Sequence, residues 1–335
     1  MELREIYEPI KGDLIRVKKE ISEQLSTEDK SVKRVLQDVI NSSGKLLRPA
    51  LALLAFSAGK NREKDKNGII KVASLIELVH TATLIHDDVI DQTTFRRHRP
   101  TLQRKWGDKV SVLVGDYLLS RSFTMLSQLG YPEIISALAD TMRLICEGEL
   151  RQIGKACHWN LSEQDYLVII RKKTASLFSF SCFSGGYVGN AGASVIPSLV
   201  NYGLNFGIAF QIVDDCLDFV GDEKVVGKSL GSDLRNGKVT LPLIYLLSLA
   251  PEPAREKIIE LLSCEQIGEE IHVIREMLQK YQVMQHCAKR IVRHVARAKE
   301  EAKEIDNKSV RESLTELCDY ALVKPLESFG RLDMR

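Results

Sequence analysis

The chain has 335 residues, 44% hydrophobic and 27% charged, a globular composition long enough to bury a large core, which excludes whole-chain disorder. Its 47 Lys and Arg stand against 45 Asp and Glu, a net charge of +2, so no strong field recruits a polyanion and nucleic acid is not an expected partner. Seven scattered cysteines form neither a CxxC pair nor a secreted disulfide pattern, which points to reduced thiols and a cytoplasmic location.

In chain order, residues 1–30 read as an amphipathic extension with a helix from Leu3 to Leu25, charged and without an apolar signal core. Helices are expected near Val32–Ile40 and Pro49–Ala58, followed by a charged loop from Lys60 to Asn67. Leu75, Ile76, Val79, Ala82, Leu84, Ile85 and Val89 then recur at helical spacing, predicting a long, mostly buried helix over Val72–Val89, punctuated by Gly68 and by Thr93-Thr94. Val110–Val114 is β-branched but reads as a buried helix end in this context. Further helices are predicted over Val112–Leu129, Pro132–Gly148, Glu163–Gly185 and Pro197–Val220, with several more between Leu241 and Val323. Almost nothing alternates with a period of two. No Pro/Gly/Ser-rich linker divides the chain, and no uninterrupted apolar run approaches the ~18 residues of a membrane span, so a single all-α domain over 1–335 is expected.

Two clusters carry the chemistry. Asp87, Asp88 and Asp91 form the pattern D-D-x-x-D, and Asp214, Asp215 and Asp218 form it again. With nineteen aspartates in the chain, shuffling produces roughly 0.06 such patterns, so two are not an accident. Positions i, i+1 and i+4 share one helical face, and each triplet points one way. The plain alternative for an acidic triplet is a solvated helix face, but Leu84, Ile85, Val89 and Ile90 surround the first cluster and Phe210, Ile212, Val213, Leu217 and Phe219 the second. Carboxylates on nearly all-apolar helices need counter-charges. Oxygen donors without His or Cys favour Mg²⁺ over zinc, and Mg²⁺ bridges to phosphate, so the implied ligand is a phosphate ester, most simply a diphosphate.

Basic residues stand where such a ligand needs them: Lys45 and Arg48 after Gly44, Arg96 and Arg97 behind the first cluster, Lys172 and Lys173 before Thr174, and Lys228, Arg235 and Lys238 behind the second cluster. Taken singly, each reads as a surface cation. Their repeated placement beside aspartates argues otherwise. His80 lies seven residues before Asp87 on the same face and is a hydrogen-bond donor candidate, while Gln211 stands one turn before Asp214 and Asp215. Asp116, Glu147, Glu149 and Gln152 read as surface or capping residues.

From about Gly44 to Pro242 the sequence resembles the trans-isoprenyl diphosphate synthases, the polyprenyl synthetase family. The resemblance rests on Gly44-Lys45 with Arg48-Pro49, on His80 through Asp91, on Arg96-Arg97, on Lys173-Thr174-Ala175 and on Phe210 through Asp218. Lys228, Asp233-Leu234 and Gly237-Lys238 with Thr240-Leu241-Pro242 agree with it as well. It implies a helical bundle of the isoprenoid synthase type around a central cavity, a homodimer, and head-to-tail addition of isopentenyl diphosphate to an allylic diphosphate such as farnesyl or geranylgeranyl diphosphate. By the same resemblance Asp87, Asp88, Asp91 and Asp214, with Asp215 and Asp218 through waters, hold three Mg²⁺ ions per site on the allylic diphosphate. Arg96, Lys173, Lys228 and Lys238 contact that diphosphate, and Lys45, Arg48, His80 and Arg97 hold isopentenyl diphosphate. Thr174 and Gln211 flank the allylic carbon, where hydroxyl and amide dipoles stabilise positive charge. Ser43, Leu46 and His98 depart from the family pattern, which has glycine, a basic residue and glycine there.

Ala82 and Thr83, five and four residues before Asp87, are small, and Val79 lies about a turn below them. Bulky residues near those positions stop the chain early in this family. Small ones therefore imply a medium or long product, hexaprenyl to octaprenyl or longer, suited to a quinone side chain and to release at a membrane. The alternatives are a geranylgeranyl- or farnesyl-length synthase and one subunit of a heteromeric synthase. A terpene cyclase is disfavoured, because it normally lacks the second aspartate triplet.

Overall fold

A computed structural model describes residues 2–41, 44–60, 65–220, 231–262 and 270–323. Helices α1 (Leu3–Ile6), α2 (Lys11–Gln24), α3 (Lys30–Asn41), α4 (Leu47–Ser57) and α5 (Lys66–Ile90) lead to a small hairpin, β1 (Phe95–Arg96) and β2 (Arg99–Pro100). After it come α6 (Leu102–Trp106), α7 (Asp108–Ser127), α8 (Pro132–Gly154) and α9 (Glu163–Ile170), a π-helical turn (Arg171–Ala175), α10 (Ser176–Val188) and α11 (Val195–Val220). The described residues end with α12 (Ser232–Arg235), α13 (Leu241–Leu249), α14 (Glu252–Leu262), α15 (Glu270–Lys280), α16 (Val283–Lys303), α17 (Lys308–Cys318) and a second π-helical turn (Asp319–Val323). The expected all-α class holds.

The two aspartate helices carry the core. α5 packs on α2, α4, α7 and α10, and α11 packs on α10, α13 and α16. By length and composition both could cross a membrane, yet 72% and 50% of their most apolar windows are buried inside this fold. α5 begins earlier than predicted because Asp65 caps it, accepting a hydrogen bond from the Gly68 N–H at 3.0 Å. Gly68 therefore lies within the first turn instead of before it. A Cβ there would sit 2.3 Å from Asp65 Oδ1 and 2.6 Å from the Tyr131 hydroxyl, so its absence seats the cap.

Three local expectations need correction. The N-terminal helix is broken at Glu8–Ile10 by a 3₁₀ turn with Pro9 in its first positions, since proline cannot supply the N–H that would continue α1. Its apolar residues Ile6, Ile10, Leu14, Val17 and Leu25 are buried in this chain's own core. The helix expected over Glu163–Gly185 is interrupted by the π turn at Arg171–Ala175, the segment that carries Lys173 and Thr174. The hairpin went unpredicted because two-residue strands show no alternation and its central pair lacks glycine or asparagine. Arg97 and His98 nonetheless adopt φ values of 51° and 61°, as a two-residue hairpin turn requires. Six cysteines fall within the described residues and all are free, with Cys182, Cys216, Cys287 and Cys318 buried.

Candidate active site

The first cluster forms where α5 ends. Arg96, carried back by the hairpin, donates from Nε and Nη2 to Asp88 Oδ1 at 2.9 and 2.8 Å. Burial disfavours the Arg96 charge, but Asp88, Asp87 and Asp214 outweigh it and raise its pKa, so one guanidinium feels both aspartate clusters. Lys173 Nζ lies 3.9 Å from Asp87 Oδ2 and pairs with Glu149 of α8. Lys238 Nζ donates to Asp91 Oδ2 at 2.5 Å and lies 3.9 Å from Asp233 Oδ1. Glu149 is thus part of the site, although it reads as a surface residue from sequence. The signal that finds it is spatial, since nothing in the sequence brings α8 against the π turn.

Two glycines fix that turn. A Cβ on Gly148 of α8 would lie 2.6 Å from the Lys173 backbone nitrogen, and one on Gly207 of α11 would lie 2.6 Å from Ala175 Cα. The turn is held by direct backbone approach from both sides. Gly148→Ala is expected to displace Lys173 and Thr174 and to lower turnover about ten-fold or more with helicity retained. Wild-type turnover in steady-state assays of that variant would show that the turn yields without cost.

The second cluster divides. Asp215 is buried, with Oδ2 accepting from the Tyr166 hydroxyl at 2.6 Å and Oδ1 from Gln211 Nε2 at 2.7 Å. Gln211 Oε1 in turn accepts from Thr174 Oγ at 2.7 Å. Burial, with repulsion from Asp233 and Asp214, pushes Asp215 up to about 8 despite the two donors. Asp218 is also buried and accepts from Ser232 Oγ at 2.9 Å and from the Asp233 N–H at 3.0 Å, anchoring the start of α12. Asp214 is only half-buried. Asp87, Asp91 and Asp214 are therefore the more open of the six, Asp91 with Lys238 as a partner, whereas Asp88, Asp215 and Asp218 are buried against protein donors and keep their remaining lone pairs for water or metal.

The donor set suits a hard divalent cation. Carboxylates outnumber the cations Arg96, Lys173 and Lys238, and burial, with Glu149 and Asp91 adding repulsion, raises the Asp87 pKa although Lys173 opposes it. Among the described residues no three acidic, His or Cys side chains converge as a ready-made metal cage. A hard cation held by such a site would take a few carboxylates and complete its shell with water and phosphate.

A second cationic patch lies one to two turns down α5. Arg48 is buried, lies 4.0 Å from the centre of the Phe178 ring, and bonds His80 Nε2 through Nη1 at 3.0 Å. Arginine has only donors, so His80 Nε2 accepts here and the ring proton sits on Nδ1, which leaves His80 one donor. Burial, then Arg48 and Arg97, keep the imidazole neutral by lowering its pKa well below the usual value. Burial also pushes Arg48 down to about 10, and its Nε has no hydrogen-bond partner among the described residues. Such an orphaned buried donor fits an anion. Arg97 lies over Gly44, where a Cβ would be 2.3 Å from its Nη1, so this glycine serves close approach and not a positive φ. Lys45 is exposed, 5.7 Å from the Tyr320 ring centre. Sequence reasoning also missed Glu77, buried on α5 near Arg48 and Arg97, for which an acid inside Leu75-Ile76-Glu77-Leu78-Val79 was the available signal. Lys228 lies outside the described residues. Of the length-setting candidates, Ala82 and Val79 are fully buried, and Thr83, one turn below Asp87, is partly open.

Comparison with known proteins agrees with this geometry. A sequence model of the polyprenyl synthetase family matches residues 29–281. The chain is 38% identical over 248 residues to heptaprenyl diphosphate synthase component 2 of Geobacillus stearothermophilus, covering 74% of this chain and 77% of that one. It is 35% identical over 295 residues to a short chain isoprenyl diphosphate synthase of Methanothermobacter thermautotrophicus, covering 86% and 89%. The fold superposes with a TM-score of 0.89 on a polyprenyl synthase from Caulobacter crescentus solved with calcium and isoprenyl diphosphate, at 30% identity and with 96% and 97% of the two chains covered. Two aspartate helices, the first held by Arg96, Lys173 and Lys238, agree with what the sequence and fold comparisons show: the chain belongs to the polyprenyl synthetase family and is a trans-prenyltransferase.

Proposed function

We propose that the enzyme is a Mg²⁺-dependent polyprenyl diphosphate synthase that extends farnesyl or geranylgeranyl diphosphate with isopentenyl diphosphate and stops at a medium or long all-trans chain. The observation that carries this reading is the convergence of Arg96, Lys173 and Lys238 on the first aspartate cluster, one link away from the Thr174–Gln211 pair. In this reading Asp87, Asp91 and Asp214 hold metal directly and Asp88, Asp215 and Asp218 support them, while Arg96, Lys173 and Lys238 bind the allylic diphosphate. Magnesium, when bound, neutralises the departing diphosphate and favours its loss.

The protein's own groups do the rest. Arg48, with its orphaned Nε, joins Lys45 and Arg97 in binding isopentenyl diphosphate, and neutral His80 fixes Arg48 without adding charge. Breaking the allylic C–O bond sends the electron pair to the diphosphate and leaves a carbocation. Thr174 Oγ and the Gln211 amide present dipoles to that charge, and the apolar walls exclude water. The alkene of isopentenyl diphosphate attacks the cation and a proton is then lost, with the released diphosphate as acceptor. No protein nucleophile takes part.

The small residues Ala82 and Thr83 support a medium or long product, as does the likeness to a heptaprenyl enzyme component. A homodimer is proposed from the exposed apolar side chains Leu113 of α7 and Leu150 and Ile153 of α8, with 68%, 68% and 51% of their surface open, which a second copy would cover. A cytoplasmic enzyme releasing a quinone side-chain precursor to a membrane completes the proposal. A second reading, one subunit of a two-component synthase, is favoured by the name of the Geobacillus relative.

Incubating the purified chain with Mg²⁺, labelled isopentenyl diphosphate and farnesyl diphosphate, then separating the products, tests both readings. The expected result is a ladder ending at one long polyprenyl diphosphate. A ladder ending at geranylgeranyl length would overturn the product length alone, and no product from folded protein would favour the missing partner.

A further inference from the structure

Tyr166 stands outside every motif read from the sequence. It lies on α9 and is only 2% exposed, yet its hydroxyl reaches Asp215 Oδ2 at 2.6 Å. Asp215 Oδ1 accepts from Gln211 Nε2 at 2.7 Å, and Gln211 Oε1 accepts from Thr174 Oγ at 2.7 Å. Four side chains from α9, α11 and the π turn thus form one relay in which every donor points toward Asp215. The direction is enforced at each link. With Asp215 ionised, turning the Gln211 amide over would set its carbonyl against the carboxylate, so the Gln211 Nε2 contact at 2.7 Å fixes which end faces Thr174. The Thr174 proton is then spent on Gln211 Oε1, and the lone pairs of Oγ face away from Gln211.

We propose that Tyr166 is a positioning residue for prenyl transfer: by clamping Asp215 it holds Gln211, and through it the rotamer of Thr174, so that lone pairs and not a proton meet the developing cation. The inference rests on the proposal that Thr174 and Gln211 flank the allylic carbon. A buried tyrosine hydroxyl with a satisfied partner is also what an ordinary core contact looks like, and the two roles differ in consequence. A core contact affects folding. A positioning contact affects what happens to the cation.

The cation has two fates. Attack by the alkene of isopentenyl diphosphate forms a C–C bond and releases a proton from carbon. Attack by water forms a C–O bond and, after loss of a proton from oxygen, yields the allylic alcohol. With Mg²⁺, farnesyl diphosphate and isopentenyl diphosphate, full-length Tyr166→Phe is expected to lose about ten-fold in kcat, with KM for farnesyl diphosphate within about two-fold of wild type. Its ratio of farnesol to condensation product should rise about ten-fold. Thr174→Val should produce the same change in partition, and adding Tyr166→Phe to it should change the ratio by less than about two-fold. Calorimetric titration with Mg²⁺ and inorganic diphosphate should not distinguish Tyr166→Phe from wild type.

An unchanged partition in Tyr166→Phe, an additive effect in the double variant, or weakened Mg²⁺ and diphosphate binding overturns the relay. An unchanged partition in Thr174→Val identifies instead a failure of the role proposed for Thr174. Should Tyr166→Phe not fold, 3-fluorotyrosine at position 166 keeps the hydroxyl and, through one added ring fluorine, makes it a more acidic and stronger donor. A shifted partition then supports the relay and an unchanged one overturns it.

Discussion

Asp87→Asn is expected to lower kcat by about three orders of magnitude while the melting temperature of the ligand-free protein stays level or rises. The two effects have opposite signs for one physical reason. Asp87 is partly buried, and that burial together with Glu149 and Asp91 raises its pKa against the pull of Lys173, so the ligand-free protein carries a carboxylate that it stabilises poorly. Asn keeps the shape and removes that charge. Lys173 retains Glu149 as a partner, and its separation of 3.9 Å from Asp87 is too long for a direct hydrogen bond to be lost. With metal and diphosphate the same charge becomes indispensable. Turnover and thermal melts on one preparation check both halves, and a variant that melts early would place Asp87 among the structural ion pairs instead.

Thr83→Phe is expected to shift the product to a shorter chain by one or more isoprene units with initial condensation retained. Thr83 is partly open, one turn below Asp87, and its hydroxyl is occupied locally by the His80 carbonyl at 2.8 Å. A ring placed there projects into the path of a growing chain without displacing the aspartates. Ala82→Phe should shorten the product too, but at a further cost of about 1–3 kcal/mol in stability, because Ala82 is fully buried and a ring overpacks its surroundings. Product analysis by reversed-phase chromatography decides, and an unchanged distribution in both variants would route the chain along another face of α5.

Much of this architecture was legible in the sequence, for reasons that can be located. α5 and α11 announce themselves because long apolar stretches at helical spacing leave few other structures, and a repeated aspartate pattern inside such helices requires a cation to neutralise it. The contributions of Glu149, Tyr166 and Glu77 were not legible. Each comes from another element or from an unremarked turn of α5, and only three-dimensional packing gives it a partner. The π turn escaped for a different reason. Arg171–Ala175 carries no residue that helical periodicity would reject, and its wider turn coincides with the close approach of α8 and α11 at Gly148 and Gly207, which only packing brings together. The hairpin escaped because Arg97 and His98 accept left-handed backbone angles without being the residues that usually do so.

The grip of Gly148 and Gly207 on that turn also predicts how the chain would respond to unguided change. In a library of random single substitutions, one class of inactive variants should retain every aspartate, lysine and arginine of the site and carry only a methyl group or larger at one of these two positions. Selection on such a library would rank two residues with no side chain beside Asp87 and Lys173 in intolerance, and a search confined to residues with functional groups would miss both.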